Sequence, residues 1–392
     1  MKKAAIISDS GTIDDHLGSN LPLEIVTDVL YRLPVKSLCR FKCVSPSWKT
    51  LISSPHFAQT HLHRSKANHH PLKAILFYCP FDLYSVDFAD VNPTPKKLDH
   101  PSFKHMSVSR SLSSCNGLVL VSDKGYVNFL FNPSTNEYKE LPAPFPEYSS
   151  DDVFYPPGLG YDSYTDDYKV VMPFSIEGRV PNDAAVMVVA VYSLKTNAWR
   201  TIQDFPYSPV GCRRVCFNER LHWLCRRTGG SDYSKVVVAF DLADEIFREV
   251  QMPASYDHEE FTHHDMVVLE GCLSLLVWSQ AGRIDVWMMM EYGLRESWTK
   301  FLNVNLGSGR SILNVLCLSV QDELVFRLWE ERFRVIGGRV EDDGEKLILS
   351  NLKKGTQREV VVPGILTKNV VGDHYIETLV SPNHGGRISE TM

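Results

Sequence analysis

Histidine and acidic residues crowd the segment His258-Glu259-Glu260-Phe261-Thr262-His263, the first place to look for hydrolytic metal chemistry. A zinc peptidase helix presents two histidines at i and i+4 with a glutamate between them as general base. Here Thr262 occupies i+4 and the second histidine comes one residue late, so the pair does not share a helical face. His263, His264 and Asp265 read instead as a polar loop, and His61, His63, His69 and His70 as a polar stretch without ligand spacing. Asp162, Asp166 and Asp167 suggest calcium, yet the turn glycine and terminal glutamate of an EF-hand are missing, and the three read as turn formers. Gly307-Ser308-Gly309 lacks the spacing of a nucleophile elbow, no phosphate-cradling glycine loop is found, and Met288, Met289 and Met290 fit a strand. The expectation is a non-catalytic chain without metal or cofactor.

The elements that would position any site fall into two kinds. Near the N-terminus, Pro22 suits a first helical position, and Ile25, Val26, Val29, Leu30 and Leu33 recur at helical spacing. Pro34 ends that helix, Ser37 opens a second carrying Leu38, Phe41 and Val44, and Ser45-Pro46 starts a third with Trp48, Leu51 and Ile52 that Pro55 stops. Three short helices are too small a unit to bury all these side chains among themselves, so part of the apolar face is expected to meet a partner.

These residues resemble an F-box, the helical module that joins a protein to a cullin-type ubiquitin ligase. The match lies at Leu21-Pro22, at Arg32-Leu33-Pro34-Val35-Lys36-Ser37-Leu38 and from Trp48 to Ser53; it departs at Ser45-Pro46, where plant members carry Cys-Lys. The resemblance implies a Skp-family adaptor, and through it a cullin, as partners. It also implies that Leu21, Pro22, Leu33, Leu38, Val44 and Trp48 face the adaptor or hold the face that does.

Beyond a polar linker the pattern becomes short β-branched and aromatic runs broken by Asn, Asp, Gly and Pro, as in an all-β domain. Val186 to Val191 and Val236 to Phe240 are wholly apolar and read as inner strands covered on both faces. Phe131 to Leu141, Tyr192 to Ile202 and Phe240 to Val250 superimpose without a gap. Each is strand, polar turn, aromatic, strand, so Tyr138, Trp199 and Phe247 are equivalent and should be packing residues. Weaker copies stand at Val86 to Phe88, Val286 to Trp298 and Leu349 to Val360. A recurrence of about 50 residues is the period of propeller blades, and the copies give six; a β-sandwich with accidentally similar hairpins is the competing reading. His374 to Val380 alternates polar and apolar, so Tyr375 to Val380 is expected to close the ring by pairing near Ala74 to Tyr78.

Ser114-Cys115-Asn116-Gly117-Leu118-Val119, Asn132-Pro133-Ser134-Thr135, Gly160 to Val171, Val191-Tyr192-Ser193-Leu194 and Leu221-His222-Trp223-Leu224 resemble, in order, the plant F-box-associated domain, a relative of kelch repeats. The double glycines of true kelch repeats are missing. Together the two resemblances cover Leu21 to Pro382. They imply a mainly β chain with a small α domain: a disordered tail at 1–20, a three-helix F-box at 21–65, a linker at 66–73, a six-bladed propeller at 74–380 and a tail at 381–392.

Composition bounds the remainder. The 392 residues are 44% hydrophobic and 11% aromatic, ample for a large core. The apolar run after Met1-Lys2-Lys3 is too short for a signal peptide, and no run approaches a membrane helix. Nine cysteines without framework spacing read as reduced thiols, so cytoplasm or nucleus is expected. Leu21 to Ser65 holds Arg32, Lys36, Arg40, Lys42, Lys49 and Arg64 against Glu24 and Asp28, a local +4 in a chain of net −6 that leaves the rest at −10. A basic module on an acidic body suits an acidic protein, whereas nucleic acid would be repelled by the body. The resemblance to the F-box implies a substrate receptor of an SCF (Skp-cullin-F-box) ubiquitin ligase that recruits a target protein. The alternative is a propeller binding a glycan or small molecule in a non-degradative role. Polar segments Glu147 to Asp152, Ile176 to Asp183, Arg226 to Tyr233 and Tyr256 to Asp265 are the candidate recognition loops.

Overall fold

Each helix opens on a residue suited to its first turn. Pro22 and Pro34 precede α1 (Leu23–Tyr31) and α2 (Val35–Phe41), and the Ser45 hydroxyl accepts the Trp48 N–H at 3.2 Å to cap α3 (Pro46–Ile52). Pro55 does not stop the helical region. It is the first residue of a fourth helix, α4 (Pro55–Ala67), whose Phe57 N–H is accepted by Ser54 Oγ at 3.2 Å. A proline breaks the preceding helix and starts the next equally well, because a first-turn N–H needs no intrahelical partner. The helical region is thus four helices, and the last occupies part of the stretch read as linker. Leu30, Val35, Leu38, Ile52 and Phe57 fill its core.

The structure is a computed structural model. It describes residues 22–67, 73–98, 110–144, 153–176, 186–227, 235–254 and 263–383, apart from 79–81, 91, 124–126, 203–204, 280–281, 306–309, 319–322, 331–332, 337–338, 343–344, 352–353 and 366–369. The N-terminal tail, the C-terminal tail from residue 384, most of the linker and most of the four candidate recognition loops lie outside these residues.

The strands form a six-bladed β-propeller. Blade 1 holds β1 (Lys73–Tyr78), β2 (Asp82–Val86) and β3 (Lys96–Leu98), with β27 (Val370–Tyr375) as its inner strand. Blade 2 is β4 (Arg110–Cys115), β5 (Leu118–Asp123), β6 (Val127–Asn132) and β7 (Glu137–Glu140). Blade 3 is β9 (Gly158–Asp162), β10 (Asp167–Ile176), β11 (Val186–Ser193) and β12 (Ala198–Ile202), with β8 (Val153–Phe154) on the far end of β10. Blade 4 is β13 (Tyr207–Phe217), β14 (Arg220–Arg227), β15 (Lys235–Asp241) and β16 (Phe247–Val250). Blade 5 is β17 (His263–Leu269), β18 (Cys272–Trp278), β19 (Arg283–Met289) and β20 (Trp298–Asn305). Blade 6 is β21 (Arg310–Leu318), β22 (Glu323–Glu330), β25 (Glu345–Asn351) and β26 (Thr356–Val360), with a hairpin of β23 (Phe333–Ile336) and β24 (Arg339–Asp342) inserted.

All six repeat copies coincide with the hairpin between the third and fourth strand of a blade. The wholly apolar runs are third strands, β11 and β15, buried because neighbouring blades cover both faces of the sheet. The innermost strands are more polar, since they line the channel. At the repeat turn, Asn136, Asn197 and Glu245 take positive φ of 60°, 53° and 58°. The Asn132 and Asp241 side chains there accept the N–H groups two and three residues on, the Asx-turn chemistry that makes such positions polar. Phe247 packs at 4.7 Å from both Phe205 and Phe240, and Trp199 donates its indole N–H to Pro142 O at 2.6 Å. Tyr138 departs from the expectation: it is 44% exposed, on the outer edge strand of blade 2.

The ring is closed by the C-terminal region, but five residues earlier than expected. Val370–Tyr375 pairs antiparallel with β1, Lys73 facing Tyr375 and Tyr78 facing Val370. Gly372 permits this close approach, since a Cβ there would meet Leu76 Cδ2 at 2.9 Å and Leu316 Cβ at 3.1 Å. Residues 376–380, whose alternation read as strand, leave the sheet and pack elsewhere.

Candidate functional site

Two opposite faces are the candidate sites. The candidate docking face is built on α1. Its stripe of apolar residues is wider than one packing face can use, and it divides. Leu30 turns inward at 1% exposure with Val26 beside it, while Leu23, Ile25 and Val29 remain 70%, 49% and 51% exposed. Val44, in the turn before α3, adds a fourth uncovered side chain at 62%. Of the six residues expected here, Pro22 and Val44 are exposed, and Leu33 and Trp48 are half-buried against the helical core. Leu38 is fully buried and can only support the face from behind, and Leu21 lies outside the described residues. Leu23, Ile25 and Val29 are exposed beside them without having been named among the six; Ile25 and Val29 belong to the apolar stripe that the helical spacing shows. Trp48 stands edge-on to Phe41 at 5.5 Å, which fixes α3 against α2.

The same helical module also carries exposed charge. Lys36, Arg40 and Lys49 are exposed. Asp28 bonds Arg64 at 2.7 Å and Arg32 at 2.9 Å, and the Arg64 and Arg32 guanidinium groups hold its carboxyl below the usual range. Of the two acidic side chains of α1, Asp28 is thereby neutralised locally, while Glu24 stands exposed in the first turn. His61, weighed as a metal ligand, lies in α4 with Nε2 2.9 Å from Leu33 O, a core histidine hydrogen-bonded to a helix end.

The helices sit over the rim formed by turns between first and second and between third and fourth strands. Gln59 Nε2 donates to Asp166 Oδ1 at 2.6 Å in the β9–β10 turn, where the Tyr161 hydroxyl donates to the same oxygen. Leu62 of α4 inserts between blades 2 and 3 beside Leu118, Leu120 and Tyr192. In an antiparallel meander the remaining connections, second to third strand and fourth strand to next blade, leave at the other rim. All four candidate recognition segments are of this second kind. They fall between β7 and blade 3, β10 and β11, β14 and β15, and β16 and β17; the strand ends that flank them are on the rim away from the helices.

That rim opens on a cavity of about 400 Å³ at the channel mouth. His263, His264 and Asp265 line it from the start of β17 and are strand, not loop. A register shift in β13 between Pro209 and Arg214 frees two consecutive arginines to reach across. Arg213 Nη2 donates to Val315 O at 2.6 Å and Leu316 O at 2.8 Å, with Nε 3.3 Å from Asp265, and Arg214 Nη2 donates to Leu112 O. Burial raises the Asp265 carboxyl above its ordinary pKa against the opposing pull of Arg213. These arginines tie inner strands of blades 2, 4, 5 and 6 together. Among the described residues no group of three His, Cys, Asp or Glu side chains is placed to hold a metal, and none of the helices is long and apolar enough to cross a membrane.

Comparison with known proteins agrees with both modules. A model of the F-box domain matches residues 19–60, and a model of the F-box associated beta propeller domain matches residues 74–339. The chain is 35% identical to the F-box protein CPR1 of Arabidopsis thaliana over 73% of each chain. It is 30% identical to an F-box/kelch-repeat protein of the same plant over 73% of this chain and 79% of that one. A helical module with an uncovered apolar face, set on a six-bladed propeller and matched along both parts, places this chain in the family of plant F-box proteins that carry an F-box associated propeller domain.

Proposed function

We propose that this chain is the substrate-recognition subunit of an SCF ubiquitin ligase. The α1–α3 face docks on a Skp-family adaptor and through it a cullin, and the far rim of the propeller holds a target protein. The observation that carries this reading is the set of uncovered side chains Leu23, Ile25, Val29 and Val44 on a module whose own core is already filled. Such a surface is stable in water only at a cost that a partner removes, at roughly 25 cal/mol per Å² of apolar area covered. Opposite placement of the two faces suits a tether that holds a target lysine near a charged conjugating enzyme. The chain then supplies proximity and needs no nucleophile of its own. Cys39, Cys43, Cys115, Cys216, Cys225 and Cys272 are free thiols, in keeping with a reducing cytoplasmic or nuclear setting.

The test is adaptor capture by the intact chain beside Leu23→Asp/Val44→Asp. Both side chains are on the surface, so the variant should fold and lose more than 90% of adaptor and cullin, the result of losing about 2 kcal/mol or more at a hot spot. Undiminished capture would refute the docking face. With degradation blocked, proteins retained by both versions are the candidates for substrate.

A further inference from the structure

We propose that residues 376–381 form a strap that locks the docking helices to the propeller, and so fixes where a bound target stands relative to the ligase; the functional half of this rests on the receptor reading above. After β27 the chain leaves the sheet and crosses toward the helices over blade 2. Its first steps are pinned. Ser114 Oγ donates to His374 O at 2.5 Å, and Glu377 pairs with Lys73 at 2.8 Å. Gly117, at φ +83°, lies directly beneath: a Cβ there would fall 2.5 Å from Ile376 O and collide with Thr378 Cγ2.

The middle of the strap is buried with its backbone satisfied. Thr378 is fully buried, and the carboxamide of Asn132, itself fully buried, donates to Thr378 O at 3.0 Å and Val380 O at 2.7 Å. The other end of the same carboxamide accepts the Ser134 N–H at 2.8 Å, so one side chain serves both the repeat turn and the strap. Buried carbonyls demand such partners. The side chains then alternate between two cores. Leu379 enters the helical core with Leu30, Leu38 and Phe57, and Val380 enters the core between blades 2 and 3. In return α4 places Leu62 in that same propeller core. Each module thus completes the other's interior, and these contacts join the Gln59–Asp166 hydrogen bond in attaching the helices to the propeller beyond the chain linking α4 to β1.

Such a join matters for transfer by proximity, because effective concentration falls when the tether between docking and recognition faces loosens. The experiment is hydrogen exchange on the full chain, a chain ending at Tyr375 that keeps β27, and full-length Leu379→Ala. Amides of α4 should exchange at least about tenfold faster in the shortened chain, with those of β17 unchanged because the ring remains closed. Leu379→Ala should move α4 in the same direction by a smaller factor. Equal α4 exchange in all three overturns the strap. Should the shortened chain lose β17 protection too, Leu379→Ala decides: faster α4 exchange over an unchanged β17 supports the strap, and no change overturns it. Adaptor capture by the full chain is read on the same samples; its absence would refute the receptor reading and leave the exchange result standing.

Discussion

Lys169 shows how much a single side chain does here. It is 8% exposed, with Nζ 2.9 Å from Asp162, 3.0 Å from Glu245 and donating to Leu242 O, so it bonds blade 3 to the repeat turn of blade 4. Lys169→Met should cost about 3–5 kcal/mol, because Asp162 and Glu245 keep their charge in a buried place without this partner; urea denaturation measures it, and a loss below 1 kcal/mol would contradict the network. Blade 4 contains a second test. The fully buried His222 sits with Nε2 2.7 Å from the Tyr292 hydroxyl, and burial lowers its pKa to about 4. Above about pH 6.5 the ring is neutral in both states and pH has no effect through it. Between about 6.5 and about 4 the unfolded chain binds a proton that the folded one refuses, so stability falls with pH by about 3 kcal/mol in all. His374, lowered in the same direction by burial, adds to the slope. His222→Gln should flatten the pH dependence of the unfolding midpoint across that window; an unchanged slope would be the contrary result. Sequence identified Asp162, Asp166 and Asp167 as turn formers. It could not show that Asp162 also holds Lys169 or that Asp166 receives Gln59 of α4, since both partners arrive through the fold.

At the scale of elements, the third-to-fourth-strand hairpin was legible because its chemistry is local: an apolar strand, an Asx turn and one residue at positive φ. Closure was legible in kind and misplaced in register. Period-two alternation in 374–380 is the same whether the apolar residues face one sheet or are dealt between two cores, and the strap does the second. Pro55 likewise signals a boundary without saying whether the chain continues as helix. Truncations separate strand from strap. A chain ending at residue 369 lacks β27, leaves β1 as an open edge and should lose its cooperative unfolding transition or aggregate. A chain ending at Tyr375 should keep a cooperative transition, and one ending at residue 383 should match the full chain. Calorimetry distinguishes the three, and a cooperative transition at residue 369 would remove the case for closure by β27.

Across the whole molecule, charge and packing are arranged along one axis. The helices end it with Lys36, Arg40 and Lys49 exposed on the module that also exposes Leu23, Ile25, Val29 and Val44, and the acidic body lies behind them, in a chain of net −6. The pairing of Asp28 with Arg32 and Arg64 removes one of the two opposing charges of α1, and Glu24 keeps the other. Sequence gave the charge asymmetry; the exposed patch and the neutralised Asp28 needed the fold. Because Leu62 and Gln59 belong to the same helical module and are part of the propeller's own packing, deleting residues 21–65 would injure the recognition domain as well. Surface substitutions are therefore the sound way to separate docking from recognition. The charge arrangement makes its own prediction. Approach of an acidic adaptor should be steered, with an association rate that falls as salt rises through the range where the screening length shrinks from about 30 Å to about 8 Å. Lys36→Glu/Lys49→Glu, both on the surface, should slow association about tenfold at low salt, leave the unfolding midpoint unchanged, and abolish most of the salt dependence. Stopped-flow association measures the rate and its salt dependence, and urea denaturation the midpoint. A wild-type rate indifferent to salt would mean that the apolar patch alone guides docking and that the basic residues of the module are only a solvated surface.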